Sequence, residues 1–381
     1  MRRIPLSVPV IKGNEWKYVK DCLDTGWVSY AGAYVEKFEE KVASYLGAKY
    51  AVATVNGTAA LHISLLVSGV RAGDEVIVPA LTFVAPANAV RYCGAEPVFM
   101  DCDPDTLCID AEKTAEFIEK SAIRKRDGCV YNKTTGRRIK AIIPVHIFGH
   151  PADMDRLNDI CSRKGIDVIE DATESLGSEY KGKKAATLGL AGCLSFNGNK
   201  IITTGGGGMV VTNDRKIAEK IRHITTQAKK DPFEYYHDEI GYNYRLSNVQ
   251  AAIGVAQMEQ IKDYVRIKRA NAKLYRAGLE NLSGVEFLGE AAWARSNFWF
   301  YTLKVAAADR KPLMEHLLSK GIQVRPVWRL MNTLPMFRKN IAYRIENATR
   351  AYSTCINLPC SVDLKAADIK YVVSQIKGYF A

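Results

Sequence analysis

The sequence predicts an α/β protein built on a mostly parallel sheet, followed by a smaller α+β unit. Three observations carry this. Short apolar runs alternate with helix-patterned stretches between residues 50 and 225. The runs are continuous rather than alternating, as strands covered on both faces require. The 381-residue chain is also longer than one domain usually holds.

Taken in order, AVATV (51–55) reads as a strand and NGTAALHISLLVSGV as the helix after it. EVIVP (75–79) leads into a helix at 84–93. PVFMD (97–101), KAIIPVH (140–146) and DVIED (167–171) are further buried strands, separated by helices at 110–121, 152–164 and 214–224. Gly192 to Phe196 and MVVT are strands flanking a polar loop and a glycine run. Segment 121–140 breaks the alternation; CVY and RRIKAI around NKTTG predict a hairpin on a surface excursion. A long helical region, 246–280, carries the chain into the second unit. There FWFYTLKV and GIQVRPVW read as strands, with helices at 310–319 and 366–379. The expected division is a large domain at 26–254 and a small one at 255–381, with residues 1–25 packing on the small one.

Composition narrows the function. Hydrophobic residues are 48% and charged residues 25%, which excludes intrinsic disorder and collagen-like repeats. Apolar runs fall short of the ~20 residues of a membrane span, and the N-terminus does not read as a signal peptide. A cytoplasmic location is expected. The charge sum, 53 − 41 = +12, suits an anionic partner. The basic cluster Arg124, Lys125, Arg126, Lys133, Arg137, Arg138 and Lys140 reads as a solvated loop, because no nucleic-acid module accompanies it. Nine cysteines lie singly without a C-x-x-C, and the six histidines are not at metal-ligand spacing, so reduced core thiols and no metal are expected. The sequon Asn132-Lys133-Thr134 reads as chance.

Ligands of parallel sheets bind beyond the carboxyl ends of the strands, which singles out three segments. In Asn56 to Leu61 (NGTAAL), a helix begins directly after a strand; its free amides, with Gly57 and Thr58, can hold a phosphate, or Asn56 and Thr58 can simply cap the helix. In IEDATESLGS, Asp171 ends an apolar strand and needs a partner: a structural arginine, a metal or a protonated heterocycle. Glu174 lies one turn on. In GCLSFNGNKIITTGGGGMVVTND, Lys200 occupies a polar loop after Ser195 and Asn197 and before Gly205 to Gly208. Neither the dinucleotide fingerprint nor the Walker pattern is present. Together a lysine, a buried carboxylate and a phosphate cup fit pyridoxal phosphate, with Phe83 as the aromatic face over its ring.

NGTAAL, PALTFVAPANAV, EDATESLGS, SFNGNKIITTGGGGM and GYNYRLSNVQAAIG occur in this order. With them the chain, from about Pro5 to its C-terminus, resembles the pyridoxal phosphate-dependent nucleotide-sugar aminotransferases of the DegT family. The resemblance implies fold type I, the aspartate aminotransferase-like fold, and a homodimer with two shared active sites. It implies that Lys200 is the Schiff-base lysine and the proton shuttle, and that Asp171 partners the pyridinium nitrogen. Phe83 matches the stacking ring, and Glu174, often Gln in relatives, the contact to the pyridine hydroxyl. Gly57, Thr58 and Ser195 match phosphate ligands, joined by Asn243 from the second subunit.

TGWVS (25–29), the 121–140 excursion, VHIFGHPADMD, TTQAKKDPFEYYHDEIGYNYR and RPVWRLMNTLPMF resemble one branch, which aminates UDP-4-keto-6-deoxy-N-acetylhexosamines on routes to bacillosamine-type or legionaminic-type sugars. Asn332 stands where the family often has His. The implied donor is L-glutamate. Trp27, Ser29, Lys229, Arg245, Arg325 and Trp328 are the expected grip on the sugar nucleotide. A dehydratase of the same fold would replace the lysine, and a regulatory homologue would lose the lysine, carboxylate and phosphate set. Lys200 argues against the first, and the intact set against the second.

Overall fold

In the computed structural model, residues 3–231 and 233–381 are described. The central sheet contains β1 (Tyr50–Thr54), β2 (Glu75–Pro79), β3 (Glu96–Met100), β4 (Ile139–Ile142), β5 (Asp167–Asp171), β6 (Ala191–Ser195) and β7 (Gly208–Thr212). Their spatial order is β1-β7-β6-β5-β4-β2-β3, and Ala342–Tyr343 adds a short parallel edge beside β3. β7 runs antiparallel to both of its neighbours; the other pairings are parallel. The topology follows from the connections. A short loop joins β6 to β7, so β7 must fold back, whereas parallel neighbours need helical crossovers. Among these helices are Gly57–Val67, Ala85–Tyr92, Ala111–Ser121 and Met154–Lys164, each close to its expected span.

A second, antiparallel sheet orders Val285–Phe287, Tyr301–Val305, Cys355–Leu358 and Arg325–Pro326. GIQVRPVW yields only two strand residues, at the edge where Pro326 needs no ladder donor. One apolar core runs through both sheets, holding Val78 and Phe99 from the first with Leu303 and Ile356 from the second.

Three expectations change. The region 246–280 forms two helices, Asn248–Met258 and Ile261–Leu279, broken where Glu259 accepts hydrogen bonds from Asn14 (2.8 Å) and Tyr18 (2.8 Å). In the excursion, Val130–Asn132 pairs with Ala122–Arg124 upstream and meets the RRIKAI side through a single bridge, Tyr131 to Arg138, with the Asn132 N–H donating to the Arg137 carbonyl (2.9 Å). Asn132 is buried and donates to Glu75 (2.8 Å), so it is a structural residue and not an exposed acceptor. The N-terminal segment divides. Ile4 pairs with Ile322, and the Cys360 N–H donates to Leu6 O (2.7 Å), but the helix Glu15–Asp24 packs on Asn248–Met258. Residues 1 and 2 of that segment lie outside the described residues.

Among the described residues no helix is long and apolar enough to cross a membrane. Eight of the nine cysteines are buried, and all nine are free thiols.

Candidate active site

A cavity of 190 Å³ opens where β1, β5 and β6 end. Gly57, Thr58, Phe83, Glu174, Ser195, Lys200 and Trp328, all marked in the sequence, line it together with Asn199 and Trp299. A wider open groove of 820 Å³ beside Lys41, Tyr45 and Lys262 contains none of the marked residues.

The phosphate end is built by close backbone approach. Asn56 caps the Gly57–Val67 helix through the Ala59 N–H (2.8 Å), leaving the first-turn amides at the cavity. A Cβ on Gly57 would come within 2.9 Å of Ser195 Cβ, and one on Gly208 within 2.4 Å of the Asn56 carbonyl. Glycine at both places lets β7 and Ser195 close on the helix start, where dipole and free N–H groups favour an anion.

Asp171 ends β5 and is 3% exposed. Oδ1 accepts the Thr173 N–H (3.1 Å). Burial raises its pKa, and the hydrogen bonds from Thr173, then the nearby Lys200 charge, oppose that rise. No arginine among the described residues pairs with it, which removes one of the sequence-based alternatives. Its neighbour Glu170 points to the opposite side of the strand, as period-two alternation demands. There it accepts the Ala186, Leu188 and Gly189 N–H groups and pairs with His146 at 2.9 Å. The Ala152 N–H donates to His146 Nδ1 (3.1 Å), so Nε2 carries the proton toward Glu170.

Lys200 Nζ lies 3.7 Å from Glu174 Oε1 and 4.0 Å from the centre of the Trp299 ring. Burial lowers the Lys200 pKa, while Glu174 and then Asp171 pull it back up. Burial pushes Glu174 up to about 7 against the pull of Lys200. Its other oxygen accepts the N–H of Phe148 (2.7 Å), a residue at φ 55° that turns its amide inward. Phe83, an exposed side chain, also lines the cavity, edge-on to Trp328 at 5.4 Å.

These residues suit pyridoxal phosphate on the structure's own terms. A buried carboxylate has no arginine partner among the described residues, a glycine-walled helix start presents free amides to an anion, and Lys200, an amine with a lowered pKa, lines the same cavity as that helix start. Asn199 Oδ1 and Trp328 Nε1, both on the cavity wall, are buried without hydrogen-bond partners, as groups awaiting a ligand would be.

Asp171 is not itself among the residues that line this cavity, and neither is Asn243 nor any of the expected substrate contacts other than Trp328. Arg245 requires a correction. It is engaged by Glu39 at 2.9 Å and by the Ala53 carbonyl (3.0 Å), and its side chain is 5% exposed. It is an internal tie between β1 and the Ala33–Leu46 helix, not a free cation for a diphosphate. Trp27 is exposed, and its carbonyl and that of Ser29 accept from Asn248. Lys229 covers the Tyr235 ring at 4.8 Å on an exposed hairpin, and Arg325 donates to the Val324 carbonyl (2.9 Å). Asn243 is exposed, bridged to Thr226, and outside the cavity of its own chain. Among the described residues, His223, Asp238 and Glu239 bring metal-ligand atoms within 4.8 Å; the cluster is surface-exposed, and Lys220 already neutralises Glu239.

The sequence reading misses Trp299 and Asn199. FWFY reads only as an apolar strand, and its one local signal is the tryptophan itself, whose N–H needs a partner when buried.

A profile of the DegT/DnrJ/EryC1/StrS aminotransferase family matches residues 9–377. The chain is 38% identical over 382 residues to GDP-perosamine synthase of Escherichia coli O157:H7, covering 100% of both. It is 39% identical over 347 residues to EpsN of Bacillus subtilis (strain 168), named as a pyridoxal phosphate-dependent aminotransferase, covering 91% of this chain and 87% of EpsN. The crystal structure of a DegT DnrJ EryC1 StrS aminotransferase from Brucella abortus superposes with a TM-score of 0.89 at 28% identity, covering 97% of this chain and 95% of that one.

Proposed function

The chain belongs to the DegT/DnrJ/EryC1/StrS aminotransferase family and is a pyridoxal phosphate-dependent sugar aminotransferase; we propose that it converts a 4-keto-6-deoxy nucleotide sugar to the 4-amino sugar, with L-glutamate as donor. The observation that carries this is the Lys200 amine, held beside Glu174 within a cavity that ends on the Gly57–Val67 helix start. When bound, pyridoxal phosphate supplies the aldehyde that carries the amino group and the ring that accepts electrons.

The protein's part is binding and proton handling. Gly57, Thr58 and Ser195 hold the phosphate, with Asn243 of a second subunit completing the cup. Asp171 keeps the ring nitrogen protonated, Phe83 covers one ring face, and Glu174 meets the ring hydroxyl. Lys200 Nζ would take a proton from the donor's α-carbon in the first half-reaction and, in the second, deliver one to the sugar's C4. A neutral amine is required for that, and burial favours it. Trp299, Trp328 and Phe83 supply the aromatic part of the cavity lining.

The branch motifs support a UDP-linked N-acetylhexosamine as acceptor, destined for bacillosamine-type or legionaminic-type sugars. The likeness to GDP-perosamine synthase across the full chain favours a second reading, a GDP-linked 4-keto-6-deoxyhexose. We place the protein in the cytoplasm as a homodimer, with a large domain at 26–254 and a small one at 255–381. Exposed Phe233, Tyr235 and Ile240 on the hairpin that carries Lys229 support the dimer as apolar surface to be covered.

The test is a panel of UDP-, dTDP- and GDP-linked 4-keto sugars with glutamate. Mass follows the ketone-to-amine change and NMR assigns the new centre. Amination of one of them is expected; amination of none would refute the proposal.

A further inference from the structure

Trp299 is 2% exposed, yet it does more than fill the core. Its ring face lies 4.0 Å from Lys200 Nζ. Its Nε1–H donates to the Asn199 carbonyl (2.8 Å), one residue before the lysine. The same carbonyl accepts the Ser7 hydroxyl (3.2 Å), so the loop is pinned from two distant parts of the chain. Asn297 sets the tryptophan in place: its Oδ1 accepts the Trp299 backbone N–H (2.8 Å), and its Nδ2 donates to the Glu174 (3.0 Å) and Leu176 (3.0 Å) backbone carbonyls. One buried amide thus ties together the backbones of Glu174 and Trp299, the two residues whose side chains reach the lysine amine.

We propose that Trp299 is a positioning residue for Lys200, its N–H locking the loop at Asn199 and its ring face holding the amine over the cavity. A lysine stem is long and rotamer-rich, and reaction requires its nitrogen in one place. An indole face attracts the ammonium form and walls off water without adding a titratable group. The charged groups facing the amine, Glu174 and Asp171, are therefore unchanged when Trp299 is replaced.

The inference rests on Lys200 being the cofactor-bearing lysine, and the test separates the two. Full-length apoprotein is mixed with pyridoxal phosphate, trapped with borohydride over time, and the modified lysine is identified by peptide mass. Wild-type label on a lysine other than Lys200 would fail the underlying reading; label on Lys200 upholds it. Trp299→Leu, which loses both ring and N–H, should then trap at Lys200 about tenfold more slowly, ~1.4 kcal/mol. Trp299→Phe keeps a ring and should lie between the two. Thermal midpoints are read alongside. Trapping by Trp299→Leu at the wild-type rate would overturn the proposal. So would slowing in both variants that merely tracks lost thermal stability. Should Trp299→Leu not fold, Trp299→Phe decides: slower trapping at an unchanged midpoint supports the role, and the wild-type rate refutes it.

Discussion

Glu174 and Lys200 face each other across 3.7 Å, with side-chain exposures of 3% and 13%. An isolated charge of either kind would be costly at such depth. The pair offsets part of that cost, and its two pKa values are pushed toward each other, the acid up to about 7 and the amine down. Burial thus favours the neutral form of each group, and a neutral amine is the form a proton-accepting lysine needs.

Glu174→Gln removes the largest influence holding the Lys200 pKa up. The neutral amine should then persist to lower pH. The pH profile for trapping pyridoxal phosphate on the apoprotein should shift toward acid, and any inflection near 7 arising from Glu174 should vanish. A profile unchanged between pH 5 and 9 would show that the carboxylate does not govern the amine.

Asp171→Ala should keep weak cofactor binding through the phosphate cup but lose most of the rate, on the order of 10²-fold or more. Absorbance titration gives the binding and glutamate half-reaction kinetics the rate. Near-normal kinetics would remove Asp171 from the ring nitrogen.

Gly208→Ala places a Cβ 2.4 Å from the Asn56 carbonyl, where backbone rather than a mobile side chain must yield. It should destabilise by about 1–3 kcal/mol and weaken pyridoxal phosphate more than pyridoxal, which lacks the phosphate. Equal weakening of both ligands would place the phosphate elsewhere.

Arg245→Ala leaves Glu39 buried with Arg222 as its remaining ion-pair partner. Loss of a buried pair member costs about 3–5 kcal/mol, so denaturant unfolding should show the change. The KM for the sugar nucleotide should stay put in enzyme that folds. A raised KM at unchanged stability would return Arg245 to the substrate.

Strands β1 to β7 were legible because each is an apolar run, and the period-two alternation of Glu170 and Asp171 assigns one carboxylate to each face of the sheet. Lys200 was legible because the loop after β6 meets the carboxyl ends of parallel strands. Arg245 misled because its partner Glu39 is far away in sequence, and local patterning carries no trace of a buried ion pair. Trp299 was hidden for a similar reason: its role depends on Asn297 and Asn199 meeting it in space, while FWFY alone reads as core. The break at 259–260 is likewise tertiary, set by Asn14 and Tyr18 from the N-terminal helix and its cap.

The central claim is that the nitrogen at Lys200 both bears the cofactor and moves the proton. The direct measurement is Lys200→Ala, purified with pyridoxal phosphate, read by visible absorbance and by conversion of the accepted 4-keto sugar with glutamate. Loss of the protein-linked visible band and of the amino sugar product is expected, with folding intact by circular dichroism. Sustained amination by that variant at a rate comparable to the wild type would contradict the central claim.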